Sequence, residues 1–211
     1  MGMLIDLHNH TFPKSDDSVL GVDILIDLCR QANIDAVCLT EHDTFWPSEE
    51  ARRLSKRHGL LVLPGSEINT DNGHVLVFGL REYVFGMHKI DFLAQCVSKV
   101  GGAMVAAHPY RRRLLKDMDQ SLIDYRLNEA KCDPLFDICD AIEGVNGRGT
   151  NEENAFSAQL AKATGLPMTG GSDAHNLNDI GKACTFFEHD VHQLEDLIQG
   201  LKGGKIAPVV L

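Results

Sequence analysis

Short apolar runs alternate along this chain with segments of helical periodicity, and most of the runs break off at a histidine, a carboxylate or a glycine. The runs cover residues 3–5, 35–40, 60–63, 74–80, 103–107, 140–145, 166–169 and 183–187. Between them, Val22, Leu25, Ile26 and Cys29 are spaced as the buried face of a helix over 22–32. Residues 47–58 read the same way, with Pro47 suited to a first helical turn and Gly59 to a helix end. Further helices are expected over 90–100, 151–164 and 191–201, and a last strand over 206–211. Alternation of this kind predicts an α/β fold, a parallel sheet flanked by helices. The number of units suits a closed or nearly closed barrel, in which functional groups gather at the C-terminal ends of the strands. The 211 residues fit a single domain, 1–211, with a full core. Residues 110–134 are charged and mixed, and predict a loop plus helix that could act as a small lid.

Composition narrows the function. The net charge is −10 with histidine neutral, which disfavours an extended nucleic-acid surface but leaves room for a phosphate ligand. No run is long enough to span a membrane, so no membrane partner is expected. The first residues lack the basic start and long apolar stretch of a secretory signal. Six cysteines include no Cys-X-X-Cys pair, and Cys29, Cys38 and Cys184 sit in apolar runs as reduced core thiols do. A cytoplasmic location is expected.

The polar residues at the run ends carry the chemistry. His8 and His10, in Asp6-Leu7-His8-Asn9-His10-Thr11, follow the first strand two residues apart. In extended chain they point the same way, about 7 Å apart along the backbone. Imidazole is the commonest nitrogen ligand for transition metals. His42, Glu67, His108, Asp173 and His175 also follow strands, so a barrel brings them to one mouth, and a hairpin after Glu67 would return His74 to the same end. Histidine and carboxylate ligands without cysteine suit manganese, iron or zinc at a catalytic site. A carboxylate such as Glu67 or Asp173 can bridge two ions. Ions about 3.5–4 Å apart can clamp the attacking and leaving oxygens of a phosphoryl transfer.

In order along the chain, the motifs are Asp6-Leu-His8-Asn-His10-Thr11, Thr40-Glu41-His42-Asp43, Pro64-Gly-Ser-Glu67, His74 at a strand head, His108-Pro109 and Gly171-Ser172-Asp173-Ala174-His175. Together they resemble the PHP (polymerase and histidinol phosphatase) family. The resemblance implies a distorted (β/α)7 barrel with a metal centre of two or three divalent ions (Mn, Fe or Zn) at the strand ends. Carried over residue by residue, His8, His10, Glu67 and Asp173 would hold a first ion. Glu67 would bridge to a second, with His74 and His108. A third would take His42, His175 and a carboxylate from the loop after His10, assigned to Asp16 with Asp17 as competitor. Glu41 stands where the family often has Asp, and either orients ligands from outside or serves a helix N-terminus.

Arginines supply the other half of a phosphate site. Arg148, in Asn146-Gly147-Arg148 after a strand, is placed to fork onto a phosphate, and Arg111 after His108-Pro109 is a second candidate. Arg112 and Arg113 are expected in solvent, because three consecutive side chains cannot all face one site. Trp46 either borders the pocket or packs. The resemblance thus implies a metal-dependent phosphoric ester hydrolase acting on a monoester of a small metabolite or nucleotide. The alternatives are a phosphodiesterase or exonuclease on short nucleic acids, and a non-catalytic metal-binding module.

Overall fold

A computed structural model describes residues 2–113 and 118–211. Among these, ten strands form two five-stranded sheets. The strands are β1 (Met3–Asp6), β2 (Ala36–Leu39), β3 (Leu61–Pro64), β4 (Ser66–Thr70), β5 (Gly73–Phe78), β6 (Ala103–Ala106), β7 (Ala141–Asn146), β8 (Met168–Gly171), β9 (Ala183–Phe187) and β10 (Ile206–Val210). One sheet has the order β10-β9-β1-β2-β3, the other β4-β5-β6-β7-β8. The helices are α1 (Val22–Gln31), α2 (Ser48–His58), α3 (Ile90–Lys99), α4 (Gln120–Ala130), α5 (Leu135–Ile138), α6 (Asn151–Thr164) and α7 (Leu194–Gly203).

The mixed α/β reading holds, but the sheets are not all parallel. The pairs β1–β2, β2–β3, β6–β7 and β7–β8 are parallel, whereas β1–β9, β9–β10, β4–β5 and β5–β6 are antiparallel. The expected distorted seven-stranded barrel, closed or nearly closed, does not form as one continuous ladder. At the β8–β9 junction, the Thr185 hydroxyl accepts from Gly170 N at 2.9 Å and donates to Gly170 O at 2.8 Å, taking the place of backbone pairing. Isolated bridges Asn9–Ala174 and His42–Glu67 join the sheets where the polar motifs lie.

The strands alternate between two buried faces, as a period of two requires. In β2, Ala36 and Cys38 enter one apolar cluster while Val37 and Leu39 enter another with Leu25, Ile26 and Leu54 of the covering helices. In β5, Leu76 and Phe78 join the first cluster, and Val75 and Val77 face a third with Leu93 and Val97 of α3. The first cluster is therefore shared by both sheets, and Leu197 and Leu201 of α7 belong to it. The free edge of β3 is blunted: Ser55 Oγ receives Val62 N at 2.9 Å and reaches Val62 O at 3.3 Å, and Pro64 has no N–H to offer.

Helix α2 is stapled to α1 through His58, whose Nδ1 lies 2.9 Å from Asp27 Oδ1 and whose Nε2 lies 2.7 Å from Asp23 Oδ1. The bonds to Asp27 and Asp23 raise the His58 pKa, and the Asp23 pKa is lowered, first by the bond from His58. A raised histidine pKa contributes stability that is complete below its unfolded value of about 6.5 and disappears as pH rises through the folded value. The lowered Asp23 value extends that contribution on the acid side. His58→Ala is expected to cost about 0.5–1 kcal/mol more near pH 5.5 than near pH 9. Thermal unfolding of both proteins at the two pH values checks this, and an equal loss at both would remove the ion pair as its cause.

The segment 110–134 contains α4, capped by Asp119, which accepts from Leu122 N at 2.9 Å. Residues 114–117 of this expected lid lie outside the described residues. No helix among the described residues is long and apolar enough to cross a membrane.

Candidate metal centre

Strand ends from both sheets deliver the expected residues to one place. Glu67 is the hub. It sits inside β4 rather than in a loop after β3, because a second strand begins at Ser66. Its side chain is 1% exposed and faces five imidazoles: His74 at 2.8 Å, His108 at 2.9 Å, His10 and His42 at 3.2 Å, and His8 at 3.3 Å. The β4–β5 hairpin places His74 as expected, opposite Asn69. Asp173 Oδ1 faces His175 at 3.4 Å, His10 at 3.5 Å and His8 at 3.7 Å.

The loop carboxylate at the cluster is Asp17, with Oδ2 3.0 Å from His175 Nε2 and 3.4 Å from His42 Nε2. Asp16, the residue assigned there from the sequence, is exposed and makes none of these contacts. In the turn that follows Thr11, only one of two adjacent carboxylates can point inward.

Glu143 of β7 was not identified from the sequence. It is buried, lies 2.9 Å from His8 Nδ1, accepts from His108 N at 2.8 Å and accepts from Asn146 Nδ2 at 3.0 Å. A carboxylate at Nδ1 fixes the ring and leaves Nε2 facing the cluster. Gly171 makes the approach possible, since a Cβ there would stand 2.6 Å from both Glu143 Oε1 and His8 Cβ. Glu41 holds the outside of the site. It accepts from Thr11 N at 2.7 Å, from Ser15 Oγ at 2.6 Å and from Trp46 Nε1 at 2.9 Å, and Ser15 Oγ in turn lies 3.3 Å from His10 Nδ1. Trp46 therefore packs and donates to Glu41.

Burial opposes charge throughout, and the carboxylates decide which groups keep it. Burial disfavours the His8 imidazolium, yet Glu143 and Glu67 outweigh it and push the pKa up to about 10. His10 is held down to about 3, chiefly by burial, with His8 and His42 adding to the effect. Burial would raise the Glu67 carboxyl, but His8 and the bonds from His10, His108 and His74 hold it well below the usual range. The backbone is forced at the same places: His108 has φ +27°, Asp173 +52° and Asp43 +48°. Left-handed conformations at non-glycine residues are sparsely populated and cluster at sites.

The donor set fits divalent ions. Four groups of three residues overlap as His10–His42–His175, His8–His108–Asp173, His8–His10–Glu67 and His42–Glu67–His74, with donor atoms within 4.8 Å of one another in each. His8 Nε2 and His10 Nε2 lie 3.0 Å apart. The buried His42 Nδ1 stands 3.2 Å from Glu67 Oε2 but outside hydrogen-bond geometry, and it has no other partner among the described residues. Imidazole lone pairs crowded on shared carboxylates are better served by a cation than by one another.

Both expected arginines border this cluster. Arg111 donates to Asp173 Oδ2, and its Nη1 is 3.5 Å from Asn146 Oδ1. Arg148 Nη1 is 2.8 Å from His175 Nδ1 and 3.8 Å from Asp173 Oδ1. Its side chain remains 30% exposed.

Comparison with known proteins finds several that this chain resembles. The PHP-associated family model (PHP_C) matches residues 151–206, the segment that carries Asp173 and His175. The uncharacterized protein MJ1587 of Methanocaldococcus jannaschii is 29% identical over 117 residues, 51% of this chain and 68% of that protein. The 5'-3' exoribonuclease Rnm of Salmonella typhimurium is 31% identical over 97 residues, which are 44% of this chain and only 32% of that enzyme. A two-domain protein of Bacteroides vulgatus ATCC 8482, described as containing a predicted PHP-like metal-dependent phosphoesterase, superposes with a TM-score of 0.69 at 20% identity, over 100% of this chain and 65% of that one. At that identity the superposition speaks for the fold. In its matched C-terminal segment and in its fold, the chain is similar to PHP-domain proteins.

Proposed function

We propose that this chain is a metal-dependent phosphoesterase that hydrolyses a phosphate monoester of a small metabolite or nucleotide. The observation that carries the reading is the convergence of Arg111 and Arg148 on Asp173, beside a cluster suited to divalent cations. His8, His10, Glu67 and Asp173 would hold one ion, Glu67, His74 and His108 a second, and His42, His175 and Asp17 a third. Divalent ions there would supply Lewis-acid activation of water and of the phosphoryl group. The two guanidiniums give a phosphate paired N–H donors at the rim, and their charge offsets that on the equatorial oxygens. Glu143 and Glu41 hold the inner histidines and the 12–15 turn in place. The whole of 1–211 would work as one domain on a small phosphorylated substrate.

A second reading, a diesterase or exonuclease on short nucleic acids, is favoured by the likeness to an exoribonuclease. One assay separates the two. Manganese-loaded and chelator-stripped protein are incubated with nucleotides, sugar phosphates and a phosphorylated oligonucleotide. Inorganic phosphate from a monoester, only with metal, is the expected result. Mononucleotides from the oligonucleotide without phosphate from any monoester would favour the second reading, and neither product would favour a binding module. Arg148→Ala is expected to raise KM about tenfold, the cost of one charge-assisted contact. An unchanged KM and kcat would take Arg148 out of the phosphate site.

A further inference from the structure

We propose that Arg112 and Arg113, beside His74, form a subsite for a second phosphate group of the substrate. The proposal rests on the phosphoesterase reading for the first phosphate. A cavity of about 200 Å³ adjoins the metal cluster, lined among others by Asn72, His74, His108, Arg111, Arg112 and Arg113. His74 and His108 belong to both places, since each also contacts Glu67. The cavity is smaller than the roughly 300–1,000 Å³ that hold a whole small ligand, so it suits one substituent of a molecule seated on the cluster.

Its charge selects the substituent. In a chain of net charge −10, three consecutive arginines concentrate positive charge at this cavity. Arg111 turns inward onto Asp173, with its side chain 16% exposed. Arg112 and Arg113 stay exposed, and neither guanidinium has an ion-pair partner among the described residues. Arg113 reaches over Gly73, where an added Cβ would lie 3.9 Å from its Nη2. The main chain at Arg112 is tied down, its N–H donating to the Glu153 carboxylate. Behind the wall, Asp133 is engaged by Asn72 Nδ2 at 3.1 Å and Leu135 N at 2.9 Å. Both arginine side chains line this cavity, and a dianionic phosphate there offers oxygens for both forks. Arg148 lies against His175 on another flank of the cluster, so the two arginine groups need not compete for one phosphate.

The second phosphate can belong to a small bisphosphorylated metabolite or be the next internucleotide phosphate of a short oligonucleotide. The test measures calorimetric binding of ribose monophosphate, ribose bisphosphate and a phosphorylated dinucleotide to the manganese-loaded full chain and to its R112Q/R113Q variant. Thermal unfolding of both proteins shows that the variant is folded. The wild type is expected to bind at least one doubly phosphorylated probe about tenfold or more tighter than ribose monophosphate, and the variant to lose that preference. Preference for ribose bisphosphate assigns the subsite to a metabolite, and preference for the dinucleotide alone assigns it to a nucleic-acid end. An unchanged preference in the variant, or no preference in the wild type, overturns the proposal. Phosphate release by the wild type is followed in parallel. Its absence from a protein that still binds through Arg112 and Arg113 counts against hydrolysis and leaves the subsite standing.

Discussion

Glu67→Gln is expected to strip the protein of most of its bound divalent metal and to lower phosphate release by on the order of a thousandfold. The substitution keeps the shape of the side chain and removes its charge. Glu67 Oε1 meets His74 and His108, and Oε2 faces His8, His10 and His42. An amide can present one oxygen to this ring of imidazoles, but its other atom is an NH2 group that cannot ligate. Any cation shared between the two sides of the cluster loses its common anion. The histidines around Glu67 lose their shared counter-charge as well. The measurements are elemental analysis of the purified variant and its steady-state rate with added manganese. A variant with full metal content and a wild-type rate would show that Glu67 is not the hub of the centre.

The fold was legible wherever both faces of a strand are buried. The runs at β2, β5 and β6 are continuous and apolar, and each splits by alternation into two cores. β4 was not legible, because Ser-Glu-Ile-Asn-Thr contains a single apolar residue and owes its place to the turn that pairs it with β5. Antiparallel pairing at β4–β5 and β9–β10 also separates the observed pair of sheets from a simple parallel barrel. Strand–helix alternation carries no information on such reversals.

The same contrast runs through the site. The histidines were readable because each sits in a short motif at a strand end. The choice between Asp16 and Asp17 turns on the direction of one side chain in a loop, which spacing does not specify. Glu143 lies in Ala-Ile-Glu-Gly-Val-Asn, with no histidine beside it to mark a ligand group. Its signal was of another kind: an acid within a strand otherwise fit for burial must find partners or remain uncharged.

That acid sets the second large effect. Glu143→Ala is expected to weaken metal binding by ten- to a hundredfold without removing any proposed ligand, the usual cost of losing an outer partner of a metal-bound histidine. His8 Nδ1 and His108 N lose their partner at once, and Asn146 Nδ2 keeps only its bond to Asp173 Oδ2 at 3.2 Å. The His8 ring becomes free to turn its Nε2 out of register, and the backbone at His108, already at φ +27°, loses the bond that holds it. Folding stability should fall as well, by about 1–3 kcal/mol for a buried donor left unpaired. Glutamine separates positioning from plain loss of packing. In the native site one carboxylate oxygen faces His8 and the other His108, so an amide can satisfy one and must turn an N–H toward the other. Glu143→Gln should therefore recover packing and part of the stability but only part of the metal affinity, while KM for phosphate shifts little in either variant. Metal titration of wild type, Glu143→Gln and Glu143→Ala gives that order if Glu143 acts through His8 and His108. Equal metal affinity in all three proteins would mean that the cluster holds its geometry without this carboxylate, and that the buried charge serves the strand rather than the site.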